Sequence, residues 1–422
     1  MYRAHIITIG NEILIGDTIN TNASWIGSRL TELGFQVESV ETIPDSFQMI
    51  KNAIRSSLEK AELTIVTGGL GPTHDDITKK AVAELFESEM RVEQEVLEHI
   101  KTIFETRGFL FSEANREQAL VPDRAEVLFN NKGTAPGLWF NRNGHALALL
   151  PGVPHEMKFL MNRRVAEKVS NLYPEATKVY TEYYRTASIP ESTLSEKLGE
   201  LEPFTSNGVD IAFLPSPKGV TVRISAESDT KLEKLRNLLY KNAGDYIYGV
   251  GKNLTLSEVT VDLLAEKGLT ISTAESCTGG YCSNLITNTP GSSQVLIGGI
   301  VAYHNRMKVE KLGVREKTLE HVGAVSKQVA LQMAKGVAEF CGTDIGVSTT
   351  GIAGPGGGSE EKPVGTVWMG FWIEGDHFAL KTVFTKDRLL NKKRTGMVVL
   401  DCIRRKVSGI DGYPYELKPH YP

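Results

Sequence analysis

Thr67-Gly68-Gly69-Leu70-Gly71-Pro72-Thr73-His74-Asp75-Asp76 stands between an apolar run, residues 63–67, and a helical pattern, and its reading decides the fold. Glycines at a strand-to-helix turn let successive backbone N–H groups converge on an anion, and the helix N-terminus adds partial positive charge. The alternative for this stretch is a tight structural turn with capping aspartates. Working outward, residues 5–9, 36–42 and 63–67 read as strands, and 21–33 and 46–61 as helices. Such alternation implies an α/β domain on a parallel sheet. Helical patterns follow near 76–86, 92–107 and 112–120, then strands and turns after Pro122, and a helix from Pro154 closes the domain near residue 170.

In an open α/β sheet the strand ends share one crevice. That brings the stretch from Gly10 to Asn22, with Glu12, Asp17, Asn20 and Asn22, and the dipeptide Pro44-Asp45 beside the glycine loop. Asp45 and Asp76 can pair around a divalent metal or a nucleotide. Taken singly, an Asn or Asp in such a place is equally a helix cap or a turn residue.

Thr273-Ala274-Glu275-Ser276-Cys277-Thr278-Gly279-Gly280 repeats the strand-end, helix-start placement in the last third of the chain. A nucleophile there gains from the helix dipole and from unpaired N–H groups able to hold an oxyanion. Ser276 and Cys277 both qualify; the thiol is intrinsically stronger, whereas the serine needs a base. His304 lies at the next strand's end and Lys308 one turn into the following helix, and a partly desolvated lysine can serve as that base. Glu275 reads as a substrate ligand, the partner of a buried cation, or a helix-start carboxylate. A third loop, Thr349 to Ser359 with Lys362-Pro363-Val364-Gly365-Thr366 after it, reads as a phosphate cradle or as a mobile surface loop. Arg388, Lys392, Lys393 and Arg394 on a basic helix, 386–406, can supply charge for a phosphate.

A length of 422 residues suits about three domains. Hydrophobic residues at 41% and charged residues at 23% exclude disordered and fibrous classes. With 47 Lys plus Arg against 51 Asp plus Glu, the net charge of -4 provides no global basic field, which disfavours nucleic acid and anionic membranes as partners. No apolar run approaches a bilayer span, and the first residues lack a signal-peptide pattern, so a cytoplasmic location is expected. Cys277, Cys282, Cys341 and Cys402 include no CxxC pair, which argues against a zinc site or a disulfide framework. The expected organisation is an α/β domain over 1–172, a small α+β module over 173–252, a second α/β domain over 253–412 and a tail, 413–422.

The segments Gly10 to Asn22, Ile43-Pro44-Asp45, Thr67 to Thr78 and Leu150-Pro151-Gly152-Val153-Pro154 resemble the molybdopterin-binding fold of the MoaB and MogA type. That resemblance implies a nucleotide or phosphate site from Glu12, Asn20, Asp45, Thr67, Gly68, Gly69, Gly71, Pro72, Thr73, Asp75, Asp76 and Gly152, with Asp45 and Asp76 as candidate metal ligands. Leu70 and His74-Asp75 depart from the cofactor enzymes of that type. The runs Ala274 to Gly280, Gly323-Ala324-Val325-Ser326, Thr350-Gly351-Ile352-Ala353-Gly354-Pro355 and Lys362 to Thr366 resemble the CinA family, whose members join a MoaB-like domain, a KH-like module and an amidase domain. The middle segment has no GxxG loop, so RNA binding is not inferred from the KH-like label.

The amidase domain of that family is similar to stand-alone nicotinamide mononucleotide deamidases. The resemblance implies a serine-lysine dyad at Ser276 and Lys308 that needs no cofactor, with a pocket drawn from Glu275, Cys277, Thr278, Gly279, Gly280, Tyr303, Asn305, Thr350, Gly351, Gly354 and Arg388. It also implies a homodimer and, in the first domain, a metal-dependent ADP-ribose pyrophosphatase. The competing expectations are that pyrophosphate cleavage is the main activity, or that the protein is a non-catalytic adaptor used in competence.

Overall fold

The computed structural model describes residues 2–73, 76–176, 178–373 and 375–422. The chain divides into two compact units, Met1–Tyr180 and Thr181–Pro422.

The first unit is built on a six-stranded sheet in the order Phe35–Ile43, Tyr2–Ile9, Leu63–Thr67, His145–Leu150, Gly137–Arg142, Glu126–Leu128. The first four strands are parallel and the last two antiparallel. Side-chain parity sorts the core into two layers, because successive residues of a strand point to opposite faces. Ala4, Ile6, Ile65, Ala146 and Ala148 pack with Ile26 and Leu30 of helix Thr21–Glu32 and with Met157 and Leu160 of helix Pro154–Leu160. Ile7, Ile9, Val66, Leu147 and Leu149 pack instead with Ile50 and Ile54 of Phe47–Lys60 and Val82 of Thr78–Leu85. A sheet covered on both faces needs continuous apolar strands, which explains the unbroken Ala146 to Leu150 run.

The second unit holds two sheets. The smaller has the order Asp210–Ser216, Gly219–Ala226, Tyr180–Thr186, Ile247–Val250, and helices Glu191–Leu198 and Asp229–Ala243 bring Leu194, Leu232, Leu235 and Leu239 into its core. The larger has the order Leu296–Val301, Ile271–Glu275, Ile345–Gly351, Thr366–Ile373, Asp376–Val383, Pro419–His420. Its first three strands are parallel and the others antiparallel.

Helix Lys327–Cys341 lies so close to one face that a Cβ on Gly346 would stand 2.1 Å from the Ala334 carbonyl oxygen. Helices Leu256–Lys267 and Arg388–Val407 contribute Val261, Leu264, Val398, Val399 and Ile403 to a core shared with Ile271, Val347, Val367 and Leu380.

The α+β module and the second α/β domain thus fall in one unit, and named contacts join them. Arg404 donates to the Asp245 carbonyl at 2.7 Å, and the Arg405 guanidinium lies 5.0 Å over the Tyr246 ring. The tail adds the short strand Pro419–His420 against Ala379 and Leu380, and the Tyr415 N–H donates to the Ser188 carbonyl. Among the described residues no helix is long and apolar enough to cross a membrane.

Candidate active site

In the larger sheet three parallel strands end at one level, since Glu275 pairs in register with Val301 on one side and Thr349 on the other. The loops that leave these ends enclose a cavity of about 250 Å³ lined by Ser276, Cys277, Tyr303, Asn305, Lys308, Thr350, Gly351, Gly354 and Arg388. Ala324, Val325, Ile352, Ala353 and Gly356 complete the wall. Thr350 Oγ1 donates to the Ala324 carbonyl at 2.8 Å, which draws the Gly323 to Ser326 run onto the site. That run was legible only through the family resemblance, because small residues carry no chemical signature of a wall.

Lys308 sits in the first turn of helix Asn305–Leu312 and is 1% exposed. Its ammonium donates to the carbonyls of Ala302, at 2.8 Å, and Tyr303, at 3.2 Å. Burial pulls its pKa below the ordinary lysine value, with Cys277 opposing, and among the described residues no carboxylate acts on it. Desolvation without a counter-charge favours the neutral amine, the form that accepts a proton.

Ser276 is 9% exposed, and its backbone is held by its N–H to the Thr349 carbonyl at 2.9 Å and by its carbonyl to the Gly279 N–H at 3.1 Å. The neighbouring Cys277 thiol is pushed up to about 12, first by burial and further by the charge of Glu275. It is therefore protonated near neutral pH, although it faces the same cavity. His304 is spent elsewhere: its Nδ1 accepts from the Arg306 N–H at 3.2 Å and caps the helix.

Four residues expected in the pocket do not line it. Glu275 accepts from the Cys282 and Ser283 N–H groups at 3.0 and 2.8 Å and takes the role of a helix-start carboxylate. Thr278 is fully buried with its hydroxyl 2.6 Å from that of Thr349. Gly279 and Gly280, at φ of +60° and +92°, make the turn that leads from Ser276 into helix Tyr281–Thr287.

Arg388, the first residue of the last helix, donates to the Gly354 carbonyl at 2.8 Å and to the Tyr303 hydroxyl at 2.6 Å. A cation at a helix N-terminus opposes the dipole, and among the described residues both of its hydrogen-bond partners are uncharged, so its charge is available to an anionic group at the cavity mouth. Lys392 lies on the same helix, its Nζ 3.6 Å from where a Cβ on Gly279 would stand. Lys362 is committed to the Val322 carbonyl at 2.7 Å.

In the first unit the carboxyl ends of the parallel strands also meet. Asn22 Nδ2 donates to the Gly152 carbonyl at 2.7 Å and to Thr67 Oγ1 at 3.4 Å, while its Oδ1 is buried with no hydrogen-bond partner among the described residues. Thr67 Oγ1 donates to the Pro151 carbonyl. Gly68 and Gly69 adopt φ of +111° and +67°, and a Cβ on Gly68 would stand 2.2 Å from the Ile9 carbonyl oxygen, so glycine is required there.

Asn20 caps helix Thr21–Glu32 through Ala23 N–H and donates to the Thr8 and Thr42 hydroxyls, a structural bridge rather than a free ligand. Asp45 Oδ2 accepts from the Asn11 N–H at 3.1 Å. Asp76 Oδ2 accepts from the Thr73 N–H and hydroxyl and lies beside Gly71. Glu12 is exposed in the short helix Asn11–Leu14, and Pro72 is exposed in the loop. Asp75, with His74, lies outside the described residues. No group of three or more His, Cys, Asp and Glu side chains is gathered among the described residues.

Three family models match the chain: the probable molybdopterin binding domain over residues 5–170, the damage-inducible protein CinA KH domain over 181–249, and the CinA C-terminal domain over 253–407. A CinA-like protein of Chloroherpeton thalassium is 40% identical over 417 residues, spanning 95% of this chain and 98% of its own. A putative competence-damage inducible protein of Caldicellulosiruptor saccharolyticus is 40% identical over 410 residues, spanning 96% and 99%. A crystal structure of CinA from Thermoplasma acidophilum is 36% identical, with a TM-score of 0.37, and covers 40% of this chain and 98% of its own.

Proposed function

The chain belongs to the CinA family, and from that premise we propose that it hydrolyses the carboxamide of nicotinamide mononucleotide, giving nicotinic acid mononucleotide and ammonia. The observation that carries this reading is Lys308: a buried amine with two carbonyls and, among the described residues, no carboxylate for partners, on the wall of the cavity that also holds Ser276.

Neutral Lys308 takes the Ser276 hydroxyl proton as Oγ attacks the amide carbon, and backbone N–H groups of the surrounding loops stabilise the oxyanion. The C–N bond then breaks, the lysine returns its proton to the departing nitrogen, and ammonia leaves an acyl ester on Ser276. Water, deprotonated by the again neutral lysine, attacks the ester; the proton passes back to Ser276 Oγ and the acid is released. Arg388 at the cavity mouth suits the nucleotide phosphate. Deamidation measured in wild type and Ser276→Ala tests the assignment, and Cys277→Ala separates a serine enzyme from a cysteine enzyme.

A second activity, cleavage of the ADP-ribose pyrophosphate bond, is our reading of the first unit. It is favoured by the positive-φ glycine turn and by Asn22 Oδ1, which has no hydrogen-bond partner among the described residues, at the shared strand ends. The divalent metal expected for it lacks a complete ligand set among the described residues, and no step is derived through one.

A further inference from the structure

Glu275 immediately precedes Ser276, is 1% exposed, and has no role in the mechanism above. Its contacts close a ring. Oε2 accepts from the Cys282 N–H at 3.0 Å; Oε1 accepts from the Ser283 N–H at 2.8 Å and the Ser283 hydroxyl at 3.0 Å. Thr273, two residues upstream, holds the same hydroxyl at 2.6 Å. Cys282 and Ser283 are the second and third residues of helix Tyr281–Thr287, the positions whose N–H groups a capping side chain normally satisfies. The residue at the cap is Gly280, which has no side chain to offer.

The cap is therefore supplied from the far side of the turn, and it spans the five residues that carry Ser276. A carboxylate accepting from N–H groups makes strong, directional bonds, and a helix N-terminus stabilises its charge in place of a cation. Gly279 and Gly280 would otherwise leave this turn with wide conformational freedom. One end of the turn is also pinned by the Ser276 N–H on the Thr349 carbonyl, so the ring fixes the other end.

We propose that Glu275 is a positioning residue whose bonds to the Cys282 and Ser283 backbone hold the Ser276 turn in the shape that catalysis uses. This rests on Ser276 being the nucleophile. Glu275→Gln keeps the size of the side chain but turns one acceptor into an NH₂ donor facing N–H groups. Because misplacement of a reacting group lowers the rate more than it lowers binding, kcat should fall roughly 10- to 100-fold while KM moves less than about threefold. Ser283→Ala, which removes the hydroxyl's contacts with Glu275 and Thr273 and leaves both backbone bonds, should lower kcat roughly two- to tenfold.

Amide hydrogen exchange at Cys282 and Ser283 provides the readout independent of activity: both amides should exchange at least about tenfold faster in Glu275→Gln than in wild type, with strand Ile345–Gly351 unchanged. Unchanged exchange at these two amides overturns the proposal whether or not wild type deamidates anything, and so does a kcat equal to wild type. Faster exchange in Glu275→Gln, where wild type has no amidase activity, overturns the functional reading and with it the catalytic part of this one. Should Glu275→Gln fail to fold, Ser283→Ala decides: no loss of kcat and no faster exchange at Ser283 contradicts the ring.

Discussion

The Arg388 guanidinium donates to the Tyr303 hydroxyl at 2.6 Å, joining the N-terminus of the last helix to the loop that follows strand Leu296–Val301. Tyr303 is 60% exposed, so this bond stands at the cavity mouth rather than in the core. Its place suits recognition of the charged end of a substrate. Arg388→Ala should raise KM for nicotinamide mononucleotide about tenfold or more, and should leave turnover of the phosphate-free riboside nearly unchanged. Tyr303→Phe, which keeps the ring and loses one uncharged partner of the arginine, should have a smaller effect; steady-state kinetics on both substrates read the difference.

Lys308 gives the pH dependence. Burial lowers its folded-state pKa below 10.5, so the neutral amine forms at a lower pH than for an ordinary lysine. Activity should rise with pH through that lowered value and level off before 10.5 is reached. The same shift affects stability: between the folded pKa and 10.5 the unfolded chain holds a proton that the folded chain has released, so this residue's contribution to stability rises with pH across that window. Lys308→Met should abolish deamidation, and urea midpoints of wild type minus variant, measured at increasing pH, should show the rise.

Cys277 should prove dispensable. A thiol held up to about 12 is almost wholly protonated at pH 8, and iodoacetamide should leave Cys277 unmodified there while it alkylates the unfolded chain. Cys277→Ala should keep kcat within about threefold. Mass mapping of the alkylated peptide, beside an ammonia assay, checks both statements.

The junction inside the second unit rests on a buried charge cluster. Asp401 is fully buried and accepts from Arg404 at 2.7 and 2.9 Å and from Arg405 at 3.0 Å. Removing its charge leaves two buried guanidinium groups without their carboxylate, which costs about 3–5 kcal/mol. Asp401→Asn should therefore shift the denaturant midpoint of this unit sharply, whereas Arg404→Met with Asp401→Leu together should recover part of the loss.

In the first unit Gly68→Ala should be destabilising, since the new Cβ would strike the Ile9 carbonyl oxygen in a left-handed backbone. The strain alone is about 1–3 kcal/mol before the collision is counted. Thermal unfolding checks the stability. If the first unit cleaves ADP-ribose, chelation and Asp76→Asn should each stop that cleavage and leave deamidation untouched.

Much of this was legible in the sequence because parity and glycine placement are local. The alternation of Ile6 with Ile7, or of Leu147 with Ala148, follows from strand geometry and sets both faces of a sheet. Ser276, Cys277 and Lys308 were readable as chemistry because strand ends in α/β sheets face one crevice. What escaped depends on partners distant in sequence or on too few residues.

Helix Glu316–Val322 is short and buries nothing fully, and the strand Pro419–His420 has two residues whose pairing lies about forty positions upstream. The run from Val295 to Tyr303 is an apolar strand pattern, yet Ile297 and Val301 are exposed, because Leu296–Val301 is the edge of its sheet and only one side is covered. For Glu275 the sequence left three roles open, the helix-start carboxylate among them; which of them holds depends on a cap that reaches across a turn from the preceding strand, where capping rules inspect only the residue at the helix start.

The central claim, a serine amidase assisted by a buried lysine, is tested most directly by incubating the purified protein with nicotinamide mononucleotide in excess chelator and following ammonia and nicotinic acid mononucleotide, with Ser276→Ala in parallel. The account predicts equal amounts of both products from wild type and none above background from the variant. Equal rates from the two proteins, or no product from well-folded wild type, would contradict it.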